Sequence, residues 1–239
     1  MSRLLLLRHA QASYLEPNYD KLSATGEMQA RVLGEYWARN KINFDRVFSG
    51  PRVRQLETAR IAAASCREAG HALPHPVVLQ EFDEYNGEAV LKYALPRLLE
   101  SDAEIRELHQ AYLSSNPPED RSKNFQKIVE AVIDMWVAGE LVVPGAESWL
   151  EFTARVNRGV SHVMSGARHG ECSVIFCSGG PIAIGVQRAL NLSAQDTLRI
   201  AWMSRNCSYT EFLYSGERFT LSAFNAFPHL DDASLLTYR

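Results

Sequence analysis

The sequence predicts an α/β fold, a three-layer sandwich with a mostly parallel central sheet, helices on both faces and a helical cap insertion. Three observations predict it. Leu4-Leu5-Leu6-Leu7, Asp45-Arg46-Val47-Phe48-Ser49 and Ser173-Val174-Ile175-Phe176-Cys177 are short strand-like runs that stop at polar residues, and the first and last read as buried on both faces. Polar loops and segments of helical period follow them, giving the strand, loop, helix rhythm of a parallel sheet. Residues 84–145 then break the rhythm with helical patterns and read as a cap inserted over the carboxyl edge of the sheet.

In chain order, the first strand delivers Arg8 and His9 at its carboxyl end, and Gln11 to Tyr19 is polar and turn-like. Ser23 is the N-cap of a helix whose apolar residues recur at helical spacing through Trp37. Gly50-Pro51 turns the second strand into a helix over residues 52–66. Val77-Val78-Leu79 is a third strand, ending in Gln80-Glu81-Phe82-Asp83-Glu84. Helices are expected over residues 88–100, 103–113 and 125–137, with Pro117-Pro118 breaking between the last two. A helix over residues 147–165 carries Trp149, Phe152, Val156, Val160 and Val163 near one face. The last buried strand ends in Ser178-Gly179-Gly180, and Pro181 suits the first turn of a helix running to 191. Residues 204–224 alternate around Ser215-Gly216 and read as a hairpin.

With 239 residues, 46% of them hydrophobic and 22% charged, the chain can bury a sizeable core, read as one domain over 1–239 with the cap at 84–145 inside it. A net charge of −3 gives no general pull toward nucleic acid or an acidic membrane, so an anion must be caught by local arginines. Four scattered cysteines without a Cys-x-x-Cys pair read as free thiols, which points to the cytoplasm. The opening apolar run stops at Arg8, too soon for a signal peptide, and no stretch approaches a membrane span.

Three strand ends carry polar groups: Arg8 with His9, Ser49 with Arg54 one turn into the next helix, and Ser178-Gly179-Gly180. In open α/β sheets ligands bind at that edge, so these groups converge if the strands are neighbours. Two guanidiniums hold phosphate oxygens by charge-assisted, often bidentate hydrogen bonds, leaving His9 to attack phosphorus in line. A neutral imidazole is a competent nucleophile near neutral pH, and a phosphohistidine divides one hard transfer into two easier ones. The leaving alkoxide needs a proton, and Glu81, with Glu84 as second choice, ends the third strand where a carboxylic acid is required.

These motifs resemble the histidine phosphatase superfamily, also called phosphoglycerate mutase-like, over nearly the whole chain. Leu7-Arg8-His9-Ala10 is similar to its Arg-His-Gly signature. Leu22-Ser23-Ala24-Thr25-Gly26-Glu27-Met28-Gln29-Ala30 is similar to its Leu-Thr-x-x-Gly-x-x-Gln-Ala segment. Ser49 to Ala59 matches its Ser-…-Arg-Ala-x-x-Thr-Ala block and puts the second phosphate arginine at Arg54. Leu79-Gln80-Glu81 resembles the segment with its proton donor, and Gly145-Ala146-Glu147-Ser148 with Arg155 resembles its Gly-Glu-Ser helix start. The resemblance implies a phosphomonoesterase that passes through a phosphohistidine on His9. Arg8, Arg54, Ser178, Gly179 and Ser23 would hold the phosphate, and Glu81 would donate the proton. It implies a small phosphorylated substrate ahead of a phosphoprotein, with no cofactor, metal, nucleic acid or membrane.

The family's late strand ends in His-Gly, and that second histidine helps bind the transferring phosphoryl group; the matching position here is Ser178. A hydroxyl and the amides of Gly179 and Gly180 at a helix start can still donate, and Ser178→His should raise the rate where the pocket has room. His229, after Phe227-Pro228, is the residue the tail can bring in as a partial replacement. Three alternatives compete. One is a weak or silent phosphate- or phosphoprotein-binding member keeping Arg8, His9 and Arg54, and another is a phosphoglycerate mutase-type phosphotransferase. The third is a serine hydrolase with Ser178, Asp196 and His229 in α/β-hydrolase order, against which stands Phe176 in place of the first glycine of Gly-x-Ser-x-Gly. His71 and His75 have the spacing of a metal pair, but Pro74 and Pro76 forbid the helix that pair needs. The aromatic residues Tyr93, Tyr112, Phe125 and Trp136 read as packing inside the cap.

Overall fold

The computed structural model describes residues 1–13 and 20–238, so most of the turn expected over Gln11 to Tyr19 lies outside the described residues. The strands β1 (Ser2–Arg8), β2 (Arg46–Ser49), β3 (Val77–Val78), β4 (Cys172–Cys177), β5 (Tyr209–Ser215) and β6 (Arg218–Ala226) form one sheet in the order β3-β2-β4-β1-β5-β6. The first four run parallel, and the closing β5–β6 hairpin pairs antiparallel to β1. Leu4, Leu6 and Leu7 are fully buried in β1 and every residue of β4 is buried, as expected of apolar strands covered on both faces.

Helices α1 (Ala24–Arg39) and α2 (Val53–Glu68) cover one face. Leu33 and Trp37 of α1 and Ala59, Ala62 and Cys66 of α2 share a buried cluster with Leu5, Leu7, Val174 and Phe176. The two helices meet backbone to backbone at Gly34, where a Cβ would stand 2.2 Å from the Ala62 carbonyl oxygen. Leu6 points to the opposite face from Leu5 and Leu7. There it meets Gly185 of α7 (Gly179–Leu190), with Phe212 alongside. The helix α6 (Trp149–Ser165) joins that layer, because Arg188 of α7 donates to the Asn157 carbonyl at 3.3 Å and to Ser161 Oγ at 2.9 Å. The result is the expected three-layer α/β sandwich.

The chain forms two compact units, Met1–Glu84 with Arg155–Arg239, and Tyr85–Ala154. The second contains α3 (Gly87–Ser101), α4 (Ala103–Leu113), α5 (Pro118–Val137) and the start of α6. It runs to Ala154 rather than 145 because the first turn of α6 packs within it. Tyr85, Trp136, Trp149 and Phe152 form a closed ring of aromatic contacts, with centroids 5.2 to 5.7 Å apart. The helix α5 begins at Pro118 instead of 125, since proline is pre-set for the first helical position while the polar residues after it carry no apolar period. A further short helix, α8 (Ala194–Met203), was absent from the sequence expectation; Ser193 caps it, accepting from the Asp196 amide at 3.1 Å. All four cysteines are buried and unpaired, and among the described residues no helix is long and apolar enough to cross a membrane.

Candidate active site

Strand register brings three strand ends to one place. Arg8 pairs with Cys177 across β1 and β4, and Ser49 pairs with Phe176 across β2 and β4. His9, Gly50 and Ser178 therefore leave the sheet side by side. The His9 amide donates to the Cys177 carbonyl at 2.8 Å and the Gly50 amide to the Phe176 carbonyl at 2.9 Å, which fixes the loops where they emerge.

His9 is buried, with Nδ1 2.8 Å from the Ala10 carbonyl oxygen. A carbonyl can only accept, so Nδ1 carries the proton and Nε2 keeps its lone pair. That Nε2 accepts from Arg54 Nε at 3.0 Å. Burial first, then the charges of Arg54 and Arg8, hold the imidazole well below its ordinary pKa, so the ring is neutral at physiological pH.

Arg54 projects from the first turn of α2. Its Nη1 is paired with Asp20 Oδ1 at 2.7 Å, and Asp20 Oδ2 accepts from the Val53 amide at 2.9 Å. One carboxylate thus caps the start of α2 and aims the guanidinium. Thr58, one turn on, donates to the Arg54 carbonyl at 2.6 Å and accepts from the Ala10 amide at 3.0 Å, tying the arginine's turn to the loop after His9. Arg8 donates through Nη1 to the Ser204 carbonyl. Beneath His9, Asn206 donates to the His9 carbonyl at 3.4 Å and accepts from Thr237 Oγ1 at 2.9 Å, so the tail braces the site.

Ser178 stands at the N-cap of α7, yet its side chain makes no capping bond. Its Oγ accepts from Gln55 Nε2 at 2.8 Å, and both residues are buried. Gly179 and Gly180 open α7, and the Gly180 amide donates to Glu84 Oε2 at 3.0 Å. The two candidate acids therefore separate. Glu81 lies in the 3₁₀ turn Gln80–Phe82 with its Cβ against α6, where a Cβ on Gly159 would come within 2.6 Å of it. Arg155 Nη1 gathers the carbonyls of Gln80, Glu81 and Asp83 at 3.2, 2.9 and 3.1 Å, holding that turn by its backbone. The carboxylate at the amide end of α7 is that of Glu84.

Ser23 accepts from the Gly26 amide at 3.0 Å as the N-cap of α1 and donates to Gln11 Oε1 at 2.8 Å, so its hydroxyl is engaged there. His229 is buried, its ring centroid 6.0 Å from that of Tyr36 of α1, and its ring nitrogens have no side-chain partner. The serine-hydrolase alternative is not assembled. Asp196 is bonded to Ser193 at 2.7 Å and to Arg199 at 2.8 Å on the surface of α8, while Ser178 is bonded to Gln55 of α2. Among the described residues no group of three or more His, Cys, Asp or Glu is arranged to hold a metal. Asp20, Gln55, Thr58 and Asn206 were not singled out in the sequence. Gln55 and Thr58 lie inside the quoted Arg54 block, but no spacing rule says what a neighbouring side chain will touch.

An α/β sandwich that presents a neutral imidazole between two guanidiniums at the carboxyl edge of its sheet is built to receive an anion. The model of the histidine phosphatase superfamily (branch 1) matches residues 4–88 and 89–226, and the chain belongs to that superfamily. Among solved structures, the chain is similar in fold to the α-ribazole phosphatase of Shigella flexneri, with 17% identity, a TM-score of 0.61, and coverage of 94% of this chain and 96% of that one. It is similar to a phosphoserine phosphatase of Entamoeba histolytica solved with 3-phosphoglyceric acid, at 16% identity and a TM-score of 0.62 over 96% and 100% of the two chains. A phosphoglycerate mutase of Bacillus anthracis str. Sterne matches at 16% identity and a TM-score of 0.60 over 96% and 95%. No curated protein sequence is significantly similar to the chain.

Proposed function

We propose that the protein is a phosphomonoesterase that works through a phosphohistidine on His9. The observation that carries this reading is the pinned, neutral imidazole, with Nδ1 on the Ala10 carbonyl and Nε2 facing the Arg54 guanidinium. When a phosphate ester enters, its oxygens take the Arg54 and Arg8 hydrogens and the Nε2 lone pair is released to phosphorus. The N–P bond forms as the P–O bond to the leaving group breaks, and the positive charge gained by the ring is met by the Ala10 carbonyl. Glu84 donates its proton to the departing oxygen, then takes one from the water that attacks phosphorus and breaks the N–P bond. Ser178 occupies the place of the family's second histidine and donates to a phosphoryl oxygen.

The substrate class is a small phosphorylated molecule, in line with the phosphoserine, phosphoglycerate and ribazole names carried by the structural neighbours. Free, buried cysteines favour a reducing compartment such as the cytoplasm.

The test is an acid-labile, alkali-resistant label, trapped by quenching in alkali after exposure to a reactive 32P-labelled aryl phosphate. Wild type is expected to carry label that passes to water, and His9→Ala to carry none while inorganic phosphate still binds through the arginines. Label handed to added phosphoglycerate instead of water points to the mutase alternative. No label in wild type, with phosphate bound in an arginine-dependent way, replaces the phosphatase by a phosphate-binding member of the superfamily.

A further inference from the structure

We propose that Gln55 is a positioning residue that acts through Ser178, and that the two together form one unit in place of a histidine at position 178. This rests on the phosphatase reading above.

Gln55 is fully buried in the first turn of α2, one residue after Arg54. Its amide is held at both ends: Oε1 accepts from the Arg52 amide at 3.0 Å, and Nε2 donates to Ser178 Oγ at 2.8 Å and lies 3.3 Å from the Phe82 carbonyl. The surroundings leave it no slack. A Cβ on Gly50 would stand 2.3 Å from Gln55 Oε1 and 2.5 Å from the Phe82 carbonyl, so only glycine admits the side chain there. With Oε1 committed to an amide donor, Nε2 is the only end of Gln55 that can face Ser178, which settles the direction of the bond.

A serine hydroxyl has one hydrogen and two lone pairs. Here one lone pair takes the Gln55 hydrogen and the side chain spends nothing on capping α7, so the single O–H remains as a donor whose swing is restricted. Aimed at a phosphoryl oxygen held by Arg8 and Arg54, it is a preorganised neutral donor next to the amides at the start of α7. The family block quoted above has alanine after its arginine, where this chain has Gln55. The larger residue at 55 and the smaller one at 178 therefore share one volume, and an imidazole placed at 178 meets the Gln55 amide. Ser178→His therefore does not raise the rate by itself, because the pocket has room for the ring only after Gln55 is shortened.

Turnover of p-nitrophenyl phosphate and affinity for orthovanadate, which mimics the five-coordinate phosphoryl group, are measured on six variants and wild type. Ser178→Ala should lower kcat about 100- to 1000-fold, the usual cost of one such donor. Gln55→Ala and the similarly sized Gln55→Met should each lower kcat on the order of 10- to 100-fold with KM little changed, as for outer partners that orient metal ligands. In a Ser178→Ala background, Gln55→Met should add nothing. Ser178→His alone should fall below wild type, and Gln55→Ala with Ser178→His should exceed Ser178→His alone. Equal losses from Gln55→Met with and without Ser178, or a Ser178→His as active as its double variant, overturn the proposal. If wild type does not turn over, the phosphatase reading falls by itself, and the same coupling is then read in vanadate affinity: its presence upholds the Gln55–Ser178 unit and its absence overturns it. Gln55→Met serves where Gln55→Ala does not fold.

Discussion

At His9 one nitrogen has two claims on it, since Nε2 is the atom read as the nucleophile and also the acceptor of the Arg54 hydrogen. The resting bond keeps the ring in place, and in the proposed reaction it is exchanged for a bond to substrate, so alignment costs little rearrangement when the phosphate arrives. The same scale separates the two acids. Glu84, whose carboxylate accepts from the Gly180 amide, is the acid proposed to protonate the leaving oxygen, while the Glu81 Cβ lies against α6. Glu84→Gln should lower kcat/KM, which reports the P–O cleavage step, on the order of 100-fold or more for alkyl phosphates and far less for p-nitrophenyl phosphate, whose leaving group needs no proton. Glu81→Gln should stay near wild type with both substrates. Steady-state rates on the two ester classes check this, and a larger loss at Glu81 than at Glu84 would reverse the assignment.

Among the elements, α1 and α2 depend on a contact with no side chain in it. Gly34 lets the two helices approach until the Ala62 carbonyl fills the space where a Cβ would be. Adding a single methyl there forces the helices apart and strains a core built around Leu33, Trp37 and Ala62, an overpacking cost of about 1 to 3 kcal/mol. Gly34→Ala should therefore lower the melting temperature by several degrees in a circular dichroism scan, although alanine is the better helix former. An unchanged or higher melting temperature would show that the helices part freely. The displacement matters for the site because α1 carries Gln29, which accepts from the Gln11 amide at 2.8 Å and donates to the Leu235 carbonyl at 2.7 Å, linking the loop after His9 to the tail.

The whole molecule carries its own acid sensitivity in His229. Burial pulls this ring down to about 4, with the Cys207 backbone opposing in part, whereas the unfolded chain binds the proton near the ordinary imidazole value of about 6.5. A histidine depressed in the folded state leaves stability intact above pH 6.5 and removes it as the pH falls toward 4, because only the unfolded chain is protonated in that window. The shift corresponds to about 3 kcal/mol by pH 4, and His9, depressed in the same direction, adds to the loss. Urea titrations at pH 7 and pH 5 should show a lower midpoint at pH 5 for wild type and a smaller difference for His229→Phe. Equal pH dependence in the two proteins would place the acid sensitivity elsewhere.

Much of this molecule follows from local sequence. Four leucines in a row and the run from Ser173 to Cys177 have nowhere to go except the interior of a sheet, so their polar ends had to fall at its edge. That makes Arg8, His9, Arg54 and Ser178 legible as one group at that edge from the sequence. Tertiary structure alone decided that β4, the last parallel strand in the chain, lies between β1 and β2, the neighbourhood that joins those ends. It also decided that Glu84 rather than Glu81 meets α7, that Asp20 aims Arg54, that Gln55 holds Ser178, and that His229 is buried beside Tyr36 of α1. The physical reason is that hydrophobic periodicity records which face of an element is buried, a property of neighbours a few residues apart. Which side-chain tips meet is set by strand register and helix packing between residues far apart in sequence, and no local pattern records that.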